Sequence, residues 1–262
     1  MAPVAAAVLP HPPLLVAELA GAAAAELDPL RAACRQALTA VTEAADLTVV
    51  VGDGPVWGVP EPSAPGSFHP YGADVEVALP ALVTLDLPGL PPPARLTDLP
   101  LSLAVAAHLL AALDPPLARV SAATVPASLG PGAAAATGRA LTAAAQAAAP
   151  AGRGGRVGLV VMGDLSACRT GKAPGAFRPE AAGLDASIAE AFRTARPQRL
   201  LDLDPAQAAD LSVAGRVPLQ VLAGAFADAP AAGERGPAVR GRILYEDAPY
   251  GVGYLVALLV AA

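Results

Sequence analysis

Lysine is almost absent from this chain. Lys172 is the single one, and the 17 Lys and Arg residues are outnumbered by 23 Asp and Glu residues, which gives a formal net charge of -6 at pH 7. Nucleic-acid binding needs clustered Lys and Arg to neutralise phosphates, so this balance excludes a nucleic-acid partner. The negative charge favours a soluble protein whose partner is a small molecule or another protein.

Cysteines and long hydrophobic runs are also scarce. Cys34 and Cys168 lie far apart, without the spacing of a zinc knuckle or a disulfide framework, which predicts two reduced thiols in a reducing compartment. The apolar N-terminus has no basic leader and is broken by a proline cluster, which argues against secretion. The apolar run at residues 252–262 is shorter than the roughly 20 residues that cross a bilayer. We therefore expect a cytoplasmic protein with no membrane partner.

The chain is rich in short apolar runs that alternate with longer Ala/Leu-rich stretches. Its 262 residues are 54% hydrophobic and 15% charged, which is typical of a globular protein with a sizeable core. The alternation is typical of strands connected by helices, and it predicts a single α/β domain over residues 1–262, with a mostly parallel or mixed sheet flanked by helices. Strands are predicted at residues 4–9, 47–51, 74–79, 119–124, 157–162, 240–245 and 253–259, the last two as a pair, and helices at residues 28–45, 101–113, 133–148, 179–195, 205–211 and 217–226.

Aromatic residues make up only 3% of the chain, yet several lie in one Pro- and Gly-rich stretch. Residues 56–71 contain Trp57, Phe68, His69 and Tyr71. A long ordered loop of this kind is more often functional than incidental. We expect this aromatic loop to line a pocket, with His69 as its polar group.

Polar side chains follow several predicted strands at their carboxyl ends, where ligands bind in open α/β sheets. His11 follows the first strand, Asp53 the second, Asp164 the strand at residues 157–162, and Glu246 the next-to-last strand. An imidazole and carboxylates at one sheet edge are suited to a divalent metal ion, with histidine favouring iron or zinc. The alternative is that all of them are ordinary turn and hairpin residues, Asp53 above all in its Gly-Asp-Gly-Pro segment.

Four segments of the chain carry a family resemblance. Residues 8–15 are Val-Leu-Pro-His-Pro-Pro-Leu-Leu, residues 49–54 are Val-Val-Val-Gly-Asp-Gly, residues 163–166 are Gly-Asp-Leu-Ser, and residues 248–254 are Ala-Pro-Tyr-Gly-Val-Gly-Tyr. In this order they resemble the catalytic subunits of class III extradiol ring-cleaving dioxygenases and their Memo-like relatives. The likeness spans nearly the whole chain and implies a single α/β domain of the kind found in those catalytic subunits.

The resemblance implies a site. Active members of that family hold non-haem Fe(II) with two histidines and a glutamate, bind a catechol-type diol beside O2, and use a further histidine as acid/base. The metal ligands implied here are His11, Asp53 at the position of the second histidine, and Glu246. The acid/base position after the Gly-Asp-Leu-Ser segment is Ala167. Asp164 and His69 are therefore the remaining catalytic candidates, with His69 in place of the missing base.

Three functional hypotheses follow from these observations. The first is an extradiol-type oxidoreductase that uses Fe(II), or zinc as the alternative metal, on a catechol-type aromatic substrate. The second is a non-catalytic descendant that keeps the pocket to bind a small molecule or a protein. The third is a metal-dependent hydrolase in which the ion activates water. The apolar terminal strands are compatible with a homodimer.

Overall fold

Ten strands and seven α-helices form in the part of the chain that the structure describes. This structure is a computed structural model, and it describes residues 2–115, 117, 119–150, 154–227 and 239–261, without the side chains of residues 22 and 23. The strands are β1 (Ala5–Leu9), β2 (Leu47–Asp53), β3 (Gly58–Pro60), β4 (Pro65–Ser67), β5 (Glu76–Ala78), β6 (Ala94–Leu96), β7 (Val120–Val125), β8 (Val157–Met162), β9 (Val239–Asp247) and β10 (Tyr254–Ala261). The helices are α1 (Ala17–Ala20), α2 (Asp28–Ala44), α3 (Leu101–Ala111), α4 (Pro131–Ala148), α5 (Ala181–Arg193), α6 (Pro205–Asp210) and α7 (Arg216–Ala225).

Eight of the strands form one mixed sheet in the order β6-β3-β7-β2-β8-β1-β10-β9. The central strands β7, β2, β8 and β1 are parallel, while β10 runs antiparallel to both β1 and β9. All residues of β1, β7 and β8 are buried, as expected for parallel strands that are covered by helices on both faces. The predicted α/β fold with a mixed sheet and a paired C-terminal hairpin is confirmed.

Helices cover the two faces of the sheet. Core residues of α2 and α3 pack on one face with Leu9, Val50 and Met162, and core residues of α4, α5 and α7 pack on the other with Val8 and Leu255. On this second face α4 and α7 approach closely: a Cβ at Gly138 of α4 would lie only 1.9 Å from the carbonyl oxygen of Val221. Gly138 and Gly224 therefore allow the backbones of the two helices to come into close contact.

Some local features differ from the sequence-based expectation. The Asp28-Pro29 pair predicts an N-cap followed by a first-turn proline, but Asp28 is the first residue of α2, because 3-10 turns at residues 13–15 and 21–27 lead into the helix and place Leu27 at the cap. Asp28 instead pairs with Arg31 at 3.1 Å. The aromatic loop contains two short strands, β3 and β4, that the sequence analysis does not predict. Within the described residues, the structure has no helix long and apolar enough to cross a bilayer.

Candidate functional site

The carboxyl ends of β1, β8 and β2 bring three of the predicted site residues together. These strands are adjacent and parallel, with Leu9 of β1 beside Met162 of β8 and Val51 of β2 beside Val161 of β8. His11, Asp164 and Asp53 therefore leave the sheet at the same edge. We call these three residues the His11 group.

The imidazole of His11 lies between two carboxylates. His11 is buried, its backbone N–H donates to Oδ1 of Asp164 at 2.8 Å, and its Nε2 lies 3.2 Å from Oδ1 of Asp53. Its Nδ1 is 3.9 Å from Asp164 Oδ1, which is too far for a hydrogen bond. Among the described residues, His11 Nδ1 and Asp53 Oδ1 are buried atoms without a hydrogen-bond partner. The ring and the Asp53 carboxylate thus lie face to face, and each keeps an atom whose hydrogen-bonding capacity is not used.

Asp53 is held by α3 rather than by a turn. The expectation that β2 stops before Gly52 is wrong, because Gly52 and Asp53 continue the strand. A Cβ at position 52 would lie 2.3 Å from Oγ of Ser102, and that same hydroxyl donates to the carbonyl oxygen of Asp53 at 2.6 Å. A Cβ at position 54 would lie 2.7 Å from Cβ of Thr124. Both glycines of the Gly-Asp-Gly segment are therefore required by close packing around Asp53.

Asp164 serves as an anchor for His11. Burial raises the pKa of Asp164, the neighbouring imidazole and the backbone hydrogen bond of His11 oppose this rise, and the negative charge of Asp53 adds to it. The backbone around Asp164 is fixed by a close glycine contact: the N–H of Gly215 donates to the Asp164 carbonyl oxygen at 2.8 Å, and a Cβ at Gly163 would lie 2.7 Å from Cα of Gly215. Because Asp164 Oδ1 accepts the His11 N–H, this carboxylate positions the loop that carries the imidazole.

The fourth segment of the resemblance, residues 248–254, lies beside the segment that carries Asp164. Leu165 N–H donates to the carbonyl oxygen of Gly253 at 2.9 Å, and Gly253 N–H donates to that of Ser166 at 2.8 Å. Asp185, which sequence reasoning misses, accepts from the Ser166 N–H at 2.9 Å and from Arg169 at 2.8 Å, and its burial raises its pKa. Its signal in the sequence is a carboxylate on the buried face of α5.

Glu246 lies at the same sheet edge but faces the other way. It is opposite Leu255 of β10, on the face covered by α5, and it pairs with Arg193 of that helix. Leu9, which leads into His11, belongs to the core on the opposite face. The structure therefore does not bring Glu246 to the His11 group; among the described contacts its ion-pair partner is Arg193.

The aromatic loop is divided between core and surface. Phe68 is fully buried and packs edge-on against His108 of α3, with ring centroids 6.0 Å apart. The His69 side chain is 61% exposed and its Nε2 contacts Oδ1 of Asp74 at 2.7 Å. Among the described contacts His69 pairs with Asp74 and not with the His11 group.

The donor set does not fit an iron triad. A facial triad needs two histidines and one carboxylate on one ion with open positions for substrate and O2. Here one histidine meets one carboxylate, while Asp164 Oδ1 accepts the His11 N–H and Glu246 pairs with Arg193. Across the described ranges, no group of three or more His, Cys, Asp or Glu side chains is arranged to hold a metal ion.

Comparison with known proteins supports the fold alone. No family model matches this chain, and no curated protein matches it. A solved structure does match. It is that of an uncharacterized protein from Escherichia coli K12, with a TM-score of 0.54 at 13% sequence identity, over 98% of this chain and 100% of that one. The α/β architecture described above is therefore shared with a protein that differs at most positions.

Proposed function

We propose that this protein is a relative of the class III extradiol dioxygenases, in the Memo-like branch, that binds a small hydroxylated molecule at the His11 group without the iron chemistry of those enzymes. The four segments of the resemblance support the relationship, because three of them supply or adjoin the His11 group and the fourth hydrogen-bonds beside it. The mixed-sheet α/β fold is of the kind that the resemblance implies.

The observation that carries the binding proposal is the pair of unsatisfied atoms, His11 Nδ1 and Asp53 Oδ1. A buried polar atom without a hydrogen bond costs on the order of 1–3 kcal/mol, so a ligand that satisfies it gains affinity. A hydroxyl group both donates and accepts, which suits a carboxylate oxygen and a ring nitrogen in turn. A catechol-type aromatic carries two neighbouring hydroxyls and is the ligand class we favour.

Two features argue against oxygenase chemistry at this group. The metal-ligand set is incomplete, as described above, and Ala167 stands where the resemblance implies an acid/base histidine. Positioned proton transfer typically contributes about 10²–10⁴-fold to a reaction rate, and His69 is held at the surface by Asp74. The residues of the site therefore favour binding over turnover.

Calorimetric titration of untagged, chelator-treated protein with catechol tests this proposal. We expect saturable binding that is lost in His11→Ala and in Asp53→Ala. His69→Ala is the matched control, since it removes an exposed imidazole, and it should bind as the wild type does. Absence of catechol binding, or equal binding by His11→Ala, would contradict the proposal.

The second candidate is a metal-dependent enzyme, either an oxygenase or a hydrolase. It is favoured by the 3.2 Å spacing of His11 Nε2 and Asp53 Oδ1, because two donors at about 2.1 Å from one ion lie roughly 3 Å apart. Metal analysis after incubation with Fe(II) or Zn²⁺ separates the candidates. Stoichiometric metal that disappears in His11→Ala would establish this candidate in place of the first, and oxygen uptake on catechol by the Fe(II) form would distinguish the oxygenase from the hydrolase.

A further inference from the structure

A cavity of about 470 Å³ lies at the amino edge of the sheet, at the far end of β2 from the His11 group. Thr48, at the start of β2, lines it, while Asp53 ends the same strand, so the two sites are roughly 16 Å apart at about 3.3 Å per residue. The walls come from the last turn of α2, the chain after α3, and the residues that precede β7 and β8.

Arg119 lines this cavity and supplies a positive charge without a counter-ion among the described residues. Its Nη2 donates to the carbonyl oxygen of Ala148 at 3.1 Å, but its Nε is buried and has no partner among the described residues. Arg156, which also lines the cavity, differs because its guanidinium is held by Asp46 at 2.9 Å. Within the described ranges Arg119 forms no ion pair, so its charge is available to a ligand.

Thr48 supplies a second polar group. The residue is only 1% exposed and lines the cavity, and its hydroxyl forms no hydrogen bond within the described part of the chain. The neighbouring Thr42 differs, since its hydroxyl donates to the carbonyl oxygen of Thr39 at 3.2 Å. A hydroxyl that opens onto a cavity without a partner marks a position for a polar ligand atom.

The charges around the cavity limit the ligand class. Glu43 and Asp114 are exposed at its rim. The carboxyl ends of α2 and α3 also point to this edge, and a helix carboxyl end carries a partial negative charge. This surrounding negative potential disfavours a multiply charged anion such as phosphate, whereas the guanidinium of Arg119 still lacks a counter-ion. A single carboxylate on a molecule that also carries hydrogen-bond donors satisfies both conditions.

We propose that this cavity binds a small carboxylic acid bearing an amino or hydroxyl group, with its carboxylate on the Arg119 guanidinium and its donor group on Thr48 and the acidic rim. The amino and hydroxy acids share this chemistry. The site is independent of the His11 group, so it stands whether or not the proposed function at the opposite edge holds.

Titration calorimetry of the full chain with L-serine, L-lactate, acetate and inorganic phosphate, at matched ionic strength, tests the proposal. L-serine or L-lactate, or both, should bind saturably, and their relative affinity identifies whether the amino or the hydroxy acid is preferred. Acetate should bind at least tenfold more weakly because it lacks the donor group, and phosphate should not bind.

Three variants assign any binding to the cavity. Arg119→Gln should abolish it, and Thr48→Val, which keeps the side-chain shape, should weaken it about fivefold or more. Arg139→Gln removes the same charge from an exposed position of α4 outside the cavity and should bind as the wild type does. His11→Ala should also bind normally. The proposal would be overturned if neither L-serine nor L-lactate bound saturably, or if phosphate bound as tightly as they do. It would also be overturned if Thr48→Val and Arg119→Gln both bound these ligands with the affinity of Arg139→Gln.

Discussion

The hydrogen bond from the His11 backbone N–H to Asp164 is the contact on which the site most depends. It joins residues 153 positions apart, and both ends are largely buried, with side-chain exposures of 6% for His11 and 16% for Asp164. Replacing Asp164 by alanine leaves the N–H without an acceptor. Replacing it by asparagine keeps an oxygen at the same place but removes the charge.

The loss of unfolding free energy expected for each variant depends on the charge and burial of the Asp164 carboxyl group. A hydrogen bond to a charged group contributes about 1.5–3 kcal/mol, and an orphaned buried N–H costs about 1–3 kcal/mol, so Asp164→Ala should lower the free energy of unfolding by about 2–3 kcal/mol. Burial already penalises the charged form of Asp164, as the direction of its pKa shift shows. Asparagine avoids that penalty, so Asp164→Asn should cost less than about 1 kcal/mol.

Urea titration at pH 7 measures both variants, with the fluorescence of the single tryptophan, Trp57, as one probe and circular dichroism as a second. Asp53→Ala is the matched control, because Asp53 Oδ1 accepts no hydrogen bond within the described residues. It should unfold close to the wild type. The anchoring role of Asp164 would be refuted if Asp164→Asn and Asp164→Ala lost the same free energy of unfolding. It would also be refuted if Asp53→Ala lost as much as Asp164→Ala.

Three other predictions concern Gly52, Cys34 and His69. Gly52→Ala should lower the free energy of unfolding by about 1–3 kcal/mol in urea titrations, because its Cβ would meet Oγ of Ser102 at 2.3 Å. Adding Ser102→Gly should recover part of that loss, and no recovery would show that the contact with Ser102 does not set it. Cys34 should resist thiol reagents in the native protein at pH 8, because burial raises the pKa of its thiol from 9.0 to about 12 and lowers the thiolate fraction about a thousandfold; rapid labelling of Cys34, located by mass spectrometry, would contradict that burial. His69→Ala should leave the urea midpoint unchanged, since its pair with Asp74 is exposed to solvent, and a clear shift would show that the aromatic loop depends on this pair.

The long elements could be predicted from the sequence because each long helix carries several turns of its pattern and the central strands are short apolar runs between longer Ala/Leu-rich stretches. The three-residue strands β3, β4 and β6 could not, because so short a segment contains no periodicity and β3 and β4 both include proline and glycine. They form where neighbours supply the partners: β3 lies against β7 and β6 in the main sheet, and β4 pairs with β5 in a separate two-stranded sheet.

The His11 group could be predicted for a related reason. Parallel neighbouring strands end at a common edge, so residues that follow them are brought together by topology, whatever the details of packing. The supporting contacts of Ser102 and Gly215 were not predictable, because both residues come from distant parts of the chain and no local pattern marks them. The structure reveals them through the tight fit at Gly52 and Gly163 and through their hydrogen bonds to Asp53 and Asp164.

Glu246 shows why the edge alone does not determine a site. The register of β9 against β10 shifts between Val256 and Ala257: Ala257 is opposite Ile243, but Val256 is opposite Tyr245, so one residue of β9 is left over. Without that bulge Glu246 would be opposite Tyr254, whose side chain belongs to the same core face as Leu9 and the approach to His11. The extra residue turns the side chain to the opposite face, because each one-residue shift reverses the direction of every later side chain. A single inserted residue, which no hydrophobic pattern records, therefore separates this carboxylate from the imidazole and leaves it with Arg193.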